Sequence, residues 1–490
     1  MRKILLLLLL LLPLTACNAV ISSTDASSTA STISSDASSY KQTIELGDED
    51  VQITKAGTYT LTGTLNGSVI VSLSKEDDVN LILEGVTINS GDFAAIYIKE
   101  ADEAVITLAG NSINILSDSG AYSQIDENEV DALIYSKADL TITGTGRLDL
   151  NSTTNHGIIS KDDLIIESGT YNIDVAGAGI KGKDLLQIID GSFNVTSGKD
   201  GLKSDNDEDE DRGNVIIENG EFVINSMGDA IYGYRLVEIK NGNFEINTTE
   251  NTENTSFKAI KSDLSVIISD GTFNIDAADD GIHSDANMQI NGGSINIISQ
   301  DDALHADSKL TINGGTLNLE AHEAIEATYI IINDGDINIT ATDDAINAAQ
   351  KVTDYTATFE MNGGNVVINM GQGDTDAIDS NGYTYINGGT LTINAQNAFD
   401  TDIEQEFNGG TVIVNGEEVD ELPEDMMGGM KGGPGGQGMQ MQNGQAPNGT
   451  PPTGERPSRE KPENGIYFYP KPGEETENNY FIRDEDDSSN

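Results

Sequence analysis

The chain has 490 residues, with 26 Lys or Arg against 82 Asp or Glu, and its formal net charge is −56 at pH 7. This charge excludes nucleic acid as a natural partner, because phosphates would be repelled, and it disfavours an anionic membrane surface. It favours cations as ligands, although a negative surface also keeps a protein soluble.

The first residues predict a lipoprotein signal peptide over 1–17. Arg2 and Lys3 precede a short apolar run, which is too short to span a bilayer comfortably. Leu14-Thr15-Ala16-Cys17 resembles a bacterial lipobox, in which the cysteine is lipidated and becomes the mature N-terminus. We expect a lipid anchor at Cys17 on the extracellular face of the bacterial cell membrane. An ordinary cleaved signal with an incidental cysteine is the alternative.

The remaining composition divides the chain into five segments. Residues 18–39 form a Ser/Thr-rich spacer with little to bury. Residues 40–130 alternate apolar and polar side chains irregularly and predict an N-terminal cap with irregular coils. Residues 131–420 are regular coils, residues 421–465 are a Met/Gly/Pro-rich linker predicted to be disordered, and residues 466–490 are a C-terminal tail.

A motif that places an acidic residue before a small one and then an aliphatic one recurs through the regular coils. It is clearest in Asp279-Asp280-Gly281-Ile282-His283-Ser284-Asp285 and Asp301-Asp302-Ala303-Leu304-His305-Ala306-Asp307. The small residue recurs at intervals of 21 to 32 residues. It is Gly157, Gly179, Gly201, Ala230, Ala259, Gly281, Ala303, Ala324, Ala345, Ala377 and Ala398. A period of this length indicates a solenoid.

Each period contains short strand patterns and turns but no helical periodicity. Leu310-Thr311-Ile312 is followed by the turn Asn313-Gly314-Gly315 and by Thr316-Leu317-Asn318-Leu319. The Asn-Gly-Gly turn recurs, and its asparagines are expected to stack as a hydrogen-bonded ladder. We predict an all-β protein, a right-handed parallel β-helix with three short strands per coil and roughly a dozen coils.

Stacking of the coils converts the repeated acids into columns. The residue before the small position is Asp200, Asp229, Lys258, Asp280, Asp302, Glu323, Asp344 and Asp376. Bare carboxylates at the spacing of neighbouring strands, about 5 Å, repel one another and either take up protons or bind a cation. Hard oxygen ligands suit Ca²⁺ best. Flanking acids complete the predicted calcium set, namely Asp279, Asp285, Asp301, Asp307 and Asp343; a solvated acidic stripe is the alternative.

Histidine, lysine and tyrosine side chains accompany these acids. His283 and His305 are expected to be vertical neighbours that either form hydrogen bonds or contact a ligand. Tyr232 and Tyr234 are possible sugar contacts. Lys181, Lys203 and Lys261 fall at the position of the two histidines, and Arg235 lies near the same face. Salt bridges explain these four cations as well as a catalytic role does.

The coils resemble a bacterial family of extracellular carbohydrate-binding β-helix proteins. The resemblance rests on the GGTLNI-like strands and the DDAIHAD-like turns over residues 131–415, together with the Gly/Met-rich tail. It implies calcium bound by acidic residues between coils and affinity for plant cell-wall polysaccharide, such as polygalacturonate or a cellulose-like glucan. Its fold is also similar to that of calcium-dependent pectate lyases.

Three functions follow as hypotheses. The first is a monomeric surface lipoprotein that binds polysaccharide, with calcium bridging the acidic protein to an anionic glycan. The second is a polysaccharide lyase, in which Lys181, Lys203, Lys261 or Arg235 abstracts a proton beside a calcium-neutralised uronate. The third is a surface adhesin or scaffold without a defined sugar ligand.

Overall fold

The computed structural model describes residues 40–250, 256–371 and 376–423, and the backbone of residues 469–470 and 480–481. The predicted signal peptide, the lipidation site Cys17 and the Ser/Thr-rich spacer lie outside these residues, as does most of the predicted linker. The chain divides into two units, Met1–Gly428 and Gly429–Asn490. In the second, Tyr469–Pro470 (β44) pairs antiparallel with Tyr480–Phe481 (β45).

The first unit is all-β over its described residues, and its 43 strands join into one sheet. Most strands pair in parallel with the equivalent strand of the next repeat, so three ladders of strands run through the unit. No helix long and apolar enough to cross a bilayer is found in the described part of the chain. The predicted parallel pairing and the three strands per repeat are confirmed.

The first ladder consists of β1 (Lys41–Leu46), β3 (Gly57–Leu65), β5 (Val79–Asn89), β7 (Glu103–Leu108), β10 (Asp139–Gly144), β13 (Asp163–Ile166), β16 (Leu185–Ile188), β19 (Asn214–Ile217), β22 (Leu236–Ile239), β25 (Ser265–Ile268), β28 (Asn287–Ile290), β30 (Leu304–Ile312), β32 (Ile325–Ile332), β35 (Thr358–Met361), β38 (Tyr383–Ile386) and β41 (Glu404–Phe407).

The second ladder includes the ends of β3 and β5 and continues through β8 (Ile113–Ser117), β11 (Arg147–Ser152), β14 (Thr170–Val175), β17 (Ser192–Ser197), β20 (Glu221–Ser226), β23 (Asn243–Thr248), β26 (Thr272–Ala277), β29 (Ser294–Ser299), β31 (Thr316–Ala321), β33 (Asp336–Ala341), β36 (Asn365–Met370), β39 (Thr390–Asn394) and β42 (Thr411–Val414). An antiparallel strand, β43 (Glu417–Val419), pairs with β42.

The third ladder consists of β2 (Val51–Ile53), β4 (Val69–Ser72), β6 (Ile96–Glu100), β9 (Ala132–Ser136), β12 (His156–Ser160), β15 (Ile180–Gly182), β18 (Leu202–Ser204), β21 (Ile231–Gly233), β24 (Ile260–Ser262), β27 (Ile282–Ser284), the first halves of β30 and β32, β34 (Ile346–Ala348), β37 (Ile378–Ser380) and β40 (Asp400–Thr401). The repeated acidic motif surrounds this ladder.

Alternation of side chains along each strand places one apolar row from each ladder in a common core. In β26, for example, Phe273, Ile275 and Ala277 are buried while the alternate residues are exposed. Tyr171, Phe193, Phe222, Phe244 and Phe273 form one such row, with neighbouring ring centroids 4.6–4.9 Å apart and nearly parallel ring planes. These distances record the spacing of the stacked repeats.

The Asn-Gly-Gly turns between the first and second ladders also stack. The Nδ2 of Asn313 donates to the Oδ1 of Asn291 at 2.8 Å, and Asn333 donates to Asn313 at 2.8 Å. The ladder continues through Asn362, Asn387 and Asn408. Gly315 takes a φ of +103°, a conformation open to glycine, and a Cβ there would meet the Gly293 carbonyl oxygen at 3.0 Å. The predicted ladder of turn asparagines is confirmed.

Candidate functional site

The register of the third ladder aligns one polar side chain from each repeat. One core residue of each third-ladder strand pairs in register with its equivalent in the next strand, through Ile180, Leu202, Ile231, Ile260, Ile282 and Leu304. The residue that follows each of them is therefore aligned as well. We call this row the central column. It contains Lys181, Lys203, Tyr232, Lys261, His283, His305, Glu326, Asn347, Asp379 and Asp400. The predicted alignment of the lysines with the histidines is confirmed.

Two acidic rows flank the central column. The first acid column is the predicted one, Asp200, Asp229, Lys258, Asp280, Asp302, Glu323, Asp344 and Asp376, and successive repeats are joined by backbone hydrogen bonds at this position. The second acid column follows the third-ladder strands and contains Asp205, Asp263, Asp285 and Asp307, with Tyr234 in the same position. Sequence reasoning missed Asp205 and Asp263, although both stand two residues after a central lysine.

Carboxylates of the first acid column have a structural task in addition to their charge. The backbone N–H of Asp229 donates to the Oδ1 of Asp200 at 3.1 Å, and Lys258 N–H donates to Asp229 at 2.9 Å. The same contact recurs between Asp302 and Asp280 at 3.2 Å. Each of these carboxylates therefore accepts the amide of the next repeat, which favours Asp at this position even without a ligand.

Lysines neutralise part of the first acid column. The Nζ of Lys203 lies 2.7 Å from Asp200, and the Nζ of Lys258 lies 2.9 Å from Asp279 and 2.8 Å from Asp280. Burial opposes both ammonium charges, but the neighbouring carboxylates outweigh it and raise the pKa of Lys203 and of Lys258. Both side chains are thus held in the protonated form.

In the next two repeats, the two histidines contact the aspartates of both acid columns. His283 contacts Asp280 through Nδ1 and Asp285 through Nε2, both at 2.7 Å. His305 contacts Asp302 at 2.5 Å and Asp307 at 3.2 Å, and its ring centroid lies 4.5 Å from that of His283. Burial alone would lower the pKa of His305, but hydrogen bonds to Asp302 and Asp307 outweigh it and raise the pKa to about 10. His305 is therefore an imidazolium cation near neutral pH. Hydrogen bonds to Asp280 and Asp285 likewise outweigh burial and raise the pKa of His283.

The repulsion expected within the acid column is thus relieved by the protein itself over much of its length. Glu326 continues the pattern, because its Oε2 lies 2.6 Å from Lys351 and 3.1 Å from the Nδ1 of His305. Lowered pKa values of Asp280 and Asp285 follow from these contacts, which overcome the effect of burial. Sequence reasoning expected protons or a metal ion between the acids. It offered salt bridges as an alternative role for Lys203, and that contact is present, but it did not predict Lys258 or Lys351 as counter-ions.

In the C-terminal repeats, the carboxylates around Asp379 have a different electrostatic environment from those of the earlier repeats. Asp379 pairs in register with Asp400, and Asp376 donates its backbone N–H to the Oδ1 of Asp344 at 3.1 Å. Burial, together with the charges of its neighbours Asp344, Asp400, Asp376 and Asp402, raises the pKa of Asp379 to about 7. The strongest electrostatic influences on Asp379 are therefore other carboxylates. Asp379 and Asp400 were not among the residues predicted from the sequence.

Three-residue groups of carboxylates occur at two further places in the described residues. Asp279, Asp280 and Asp301 converge to within 4.8 Å, but the Lys258 ammonium already contacts two of them. Asp139, Asp162 and Asp163 also converge, and burial followed by the charges of the two neighbours raises the pKa of Asp139 to about 6. Arg212 approaches Asp163 to 2.8 Å. The motif search missed this group because it lies beside the first ladder.

Two of the predicted calcium ligands make weaker or different contacts. Glu323 accepts a hydrogen bond from Asn347 at 2.9 Å, and burial raises its pKa. Asp343 lies 3.9 Å from the Nδ1 of His322. His322, Glu323 and Asp343 form a group whose ligand atoms lie within 4.8 Å of one another.

The side chains predicted as sugar contacts or catalytic bases are largely engaged with acids. Tyr232 donates to Asp263 at 3.3 Å, with Lys203 and Lys261 5.0 and 5.5 Å from its ring centroid. Lys181 contacts Asp205 at 2.7 Å, and Lys261 lies 3.8 Å from Asp263. The Nε of Arg235 is buried without a hydrogen-bond partner in the described chain. The Lys and Tyr side chains thus belong to one charge network.

The first unit is built from repeats of parallel strands and carries ordered rows of charged side chains. The chain is therefore a parallel-strand repeat protein. The family described as carbohydrate-binding domain-containing protein matches residues 47–303, 281–323 and 300–447, and the chain belongs to this family.

One relative, from Acetivibrio thermocellus and described in the same words, is 39% identical over 133 residues. The alignment covers 26% of this chain, and the chain spans 46% of the relative's length. A solved structure, the polysaccharide lyase-like protein from C. thermocellum in its gadolinium derivative, is 32% identical with a TM-score of 0.43. That similarity covers 46% of this chain and 96% of the solved one.

Proposed function

We propose that this protein binds an acidic plant cell-wall polysaccharide, with polygalacturonate as the preferred candidate, through calcium held between its repeats. In this proposal the first unit is a right-handed parallel β-helix, and a lipid at Cys17 anchors a monomer on the extracellular face of the bacterial cell membrane. The family membership supports a carbohydrate ligand. The net charge of −56 supports a cation as the bridge, because an anionic glycan would otherwise be repelled.

The observation that carries the calcium proposal is the change in charge along the columns. In the earlier repeats Asp200, Asp280, Asp302 and Glu326 contact Lys or His side chains. The pKa of Asp379, in contrast, is raised by burial and by the charges of four other carboxylates. A donor set of carboxylate oxygens fits Ca²⁺, which takes six to eight oxygen ligands. Asp344, Asp376, Asp379 and Asp400 would hold the ion, which would supply charge neutralisation and open coordination positions for glycan carboxylates.

Binding is better supported than cleavage. A lyase needs a base that is unprotonated near neutral pH, but the carboxylates around Lys203 raise its pKa. Lys181 and Lys261 lie in the same network, close to Asp205 and Asp263 respectively. The central lysines therefore act as fixed counter-ions of the acid columns in this proposal.

The test is affinity electrophoresis of the full chain in gels that contain polygalacturonate, with calcium or with EDTA, alongside absorbance of unsaturated product. We expect retention with calcium, release with EDTA and no increase in absorbance. Rising absorbance would instead indicate a lyase. Equal migration with and without the glycan in both conditions would contradict the proposal and leave the scaffold hypothesis.

A further inference from the structure

The outer face of the second ladder carries a groove that is separate from the charged columns. It has a volume of about 460 Å³ and crosses the strands β23, β26, β29, β31 and β33. Its floor is a row of asparagines, Asn274, Asn296, Asn318 and Asn338, which are aligned by the register of these strands. We call it the amide groove. A similar groove on the same ladder lies over β8, β11, β14 and β17.

Hydrogen bonds join the asparagines into a regular array. The Nδ2 of Asn296 donates to the Oδ1 of Asn274 at 3.1 Å, Asn318 donates to Asn296 at 2.7 Å, and Asn338 donates to Asn318 at 3.1 Å. A side-chain amide offers two N–H donors and two oxygen lone pairs. Within the described residues, Asn296 and Asn318 therefore each keep one donor and one acceptor available to a ligand.

The charge of the amide groove selects against an anionic ligand. Glu245, Asp276 and Glu320 line it, and no Lys, Arg or His is among the described residues that do. A polyuronate would meet like charge here, while an uncharged chain would not. Ile298 is 49% exposed and lines the same groove, which gives an apolar contact for the C–H face of a sugar ring.

The periodicity favours a polymer over a small molecule. The stacked aromatic rings of this ladder repeat every 4.6–4.9 Å, so the amides recur at about the spacing of neighbouring strands. An extended polysaccharide presents hydroxyl groups at a comparable interval along its axis. Such a chain can place one sugar against each amide along the ladder.

We propose that the amide groove binds an uncharged polysaccharide chain, independently of calcium, along the Asn274–Asn296–Asn318–Asn338 row. The inference rests on the proposed function only in taking a polysaccharide as ligand. It adds a second glycan-binding face, distinct in position and in charge preference from the carboxylates of the C-terminal repeats. The polymer supplies avidity, because successive sugars engage successive repeats.

The test uses the full chain in gels that contain hydroxyethyl cellulose as the uncharged glycan, in EDTA throughout. Ile298→Glu places a charge in the groove, and Val223→Glu is the matched control. Val223 is 38% exposed on β20 of the same ladder, outside the residues that line the groove. We expect the wild type and Val223→Glu to be retained, and Ile298→Glu to bind about tenfold more weakly. Thermal unfolding of each variant checks that the fold is kept.

Asn318→Ala provides a second variant that leaves the charge unchanged, and it should weaken binding about threefold to tenfold through the lost hydrogen bonds. Absence of wild-type retention in EDTA would overturn the inference. Equal behaviour of Ile298→Glu and Val223→Glu would overturn it too. A polygalacturonate gel run in parallel with calcium reports on the proposed function alone, so failure of either site is seen separately.

Discussion

At the scale of single residues, His283 and His305 act as internal cations. Each ring contacts carboxylates through both of its nitrogens, and the contact distances are those of hydrogen bonds between charged groups. The sequence predicted that the two rings are neighbours, but their charge state depends on how far the flanking aspartates reach. That reach is set by side-chain conformation, which the repeat pattern does not encode.

Replacement of His305 by Gln should remove a stabilising charge whose effect depends on pH. The folded pKa of about 10 lies above the ordinary value of 6.5, so the contribution is complete below about pH 6.5 and is lost as the pH rises through 10. We expect His305→Gln to lower the free energy of unfolding by at least about 2 kcal/mol at pH 6. The difference from wild type should shrink towards pH 10, as measured by urea unfolding.

The control for this experiment is His322→Gln, because the side chain of His322 is 51% exposed and lies outside the stacked pair. It should change the unfolding free energy by no more than about 0.5 kcal/mol. A difference for His305→Gln that stays constant from pH 6 to pH 10 would show that the imidazolium charge does not matter.

At the scale of strands, the row of aromatic rings in the second ladder aligns the central repeats. Tyr171, Phe193, Phe222, Phe244 and Phe273 occupy the second position of their strands and are buried. The alternation of apolar and polar residues allowed the strands to be predicted. The near-parallel stacking follows from the shared register, in which identical side chains adopt one conformation over one another.

Phe222→Ala should leave a cavity between two rings that lie 4.9 and 4.6 Å from Phe222. We expect the free energy of unfolding to fall by about 3–5 kcal/mol, because the buried contacts are lost and the neighbours cannot close the gap. Urea unfolding followed by circular dichroism measures this loss. Val223→Ala, at the exposed neighbouring position, should remain within about 0.5 kcal/mol; a similar loss in both variants would refute the role of the stack.

At the scale of the whole molecule, the period of the acidic motif predicted the parallel ladders and the first acid column. It did so because the recurring motif shows which residues of successive repeats are neighbours, even across insertions such as 205–211. The distribution of compensating cations was less predictable. Lys258 interrupts the acidic row and reaches Asp279 and Asp280 of the following repeat, and Lys351 reaches back to Glu326.

The distribution of these cations distinguishes the earlier repeats from the C-terminal repeats, although the two parts of the acid columns look alike in sequence. Both carry Asp before a small residue. In the earlier part Lys203, Lys258, His283 and His305 contact the carboxylates, whereas burial and four other carboxylates raise the pKa of Asp379 in the later part. The calcium proposal therefore belongs to the C-terminal repeats around Asp379, where Asp376 lies three residues before it and Asp400 comes from the next repeat. Asp379 was not predicted as a calcium ligand because it stands two residues after the small residue of its repeat. In earlier repeats this position is held by histidine or lysine.

Calcium titration of the full chain by calorimetry tests this account most directly. The wild type should bind calcium, Asp379→Asn should lose about tenfold in affinity at one site or lose that site altogether, and Asp336→Asn, at an exposed carboxylate on β33, should bind as the wild type does. Calcium binding that is unchanged in Asp379→Asn, or absent from the wild type, would contradict the assignment of calcium to the C-terminal carboxylates.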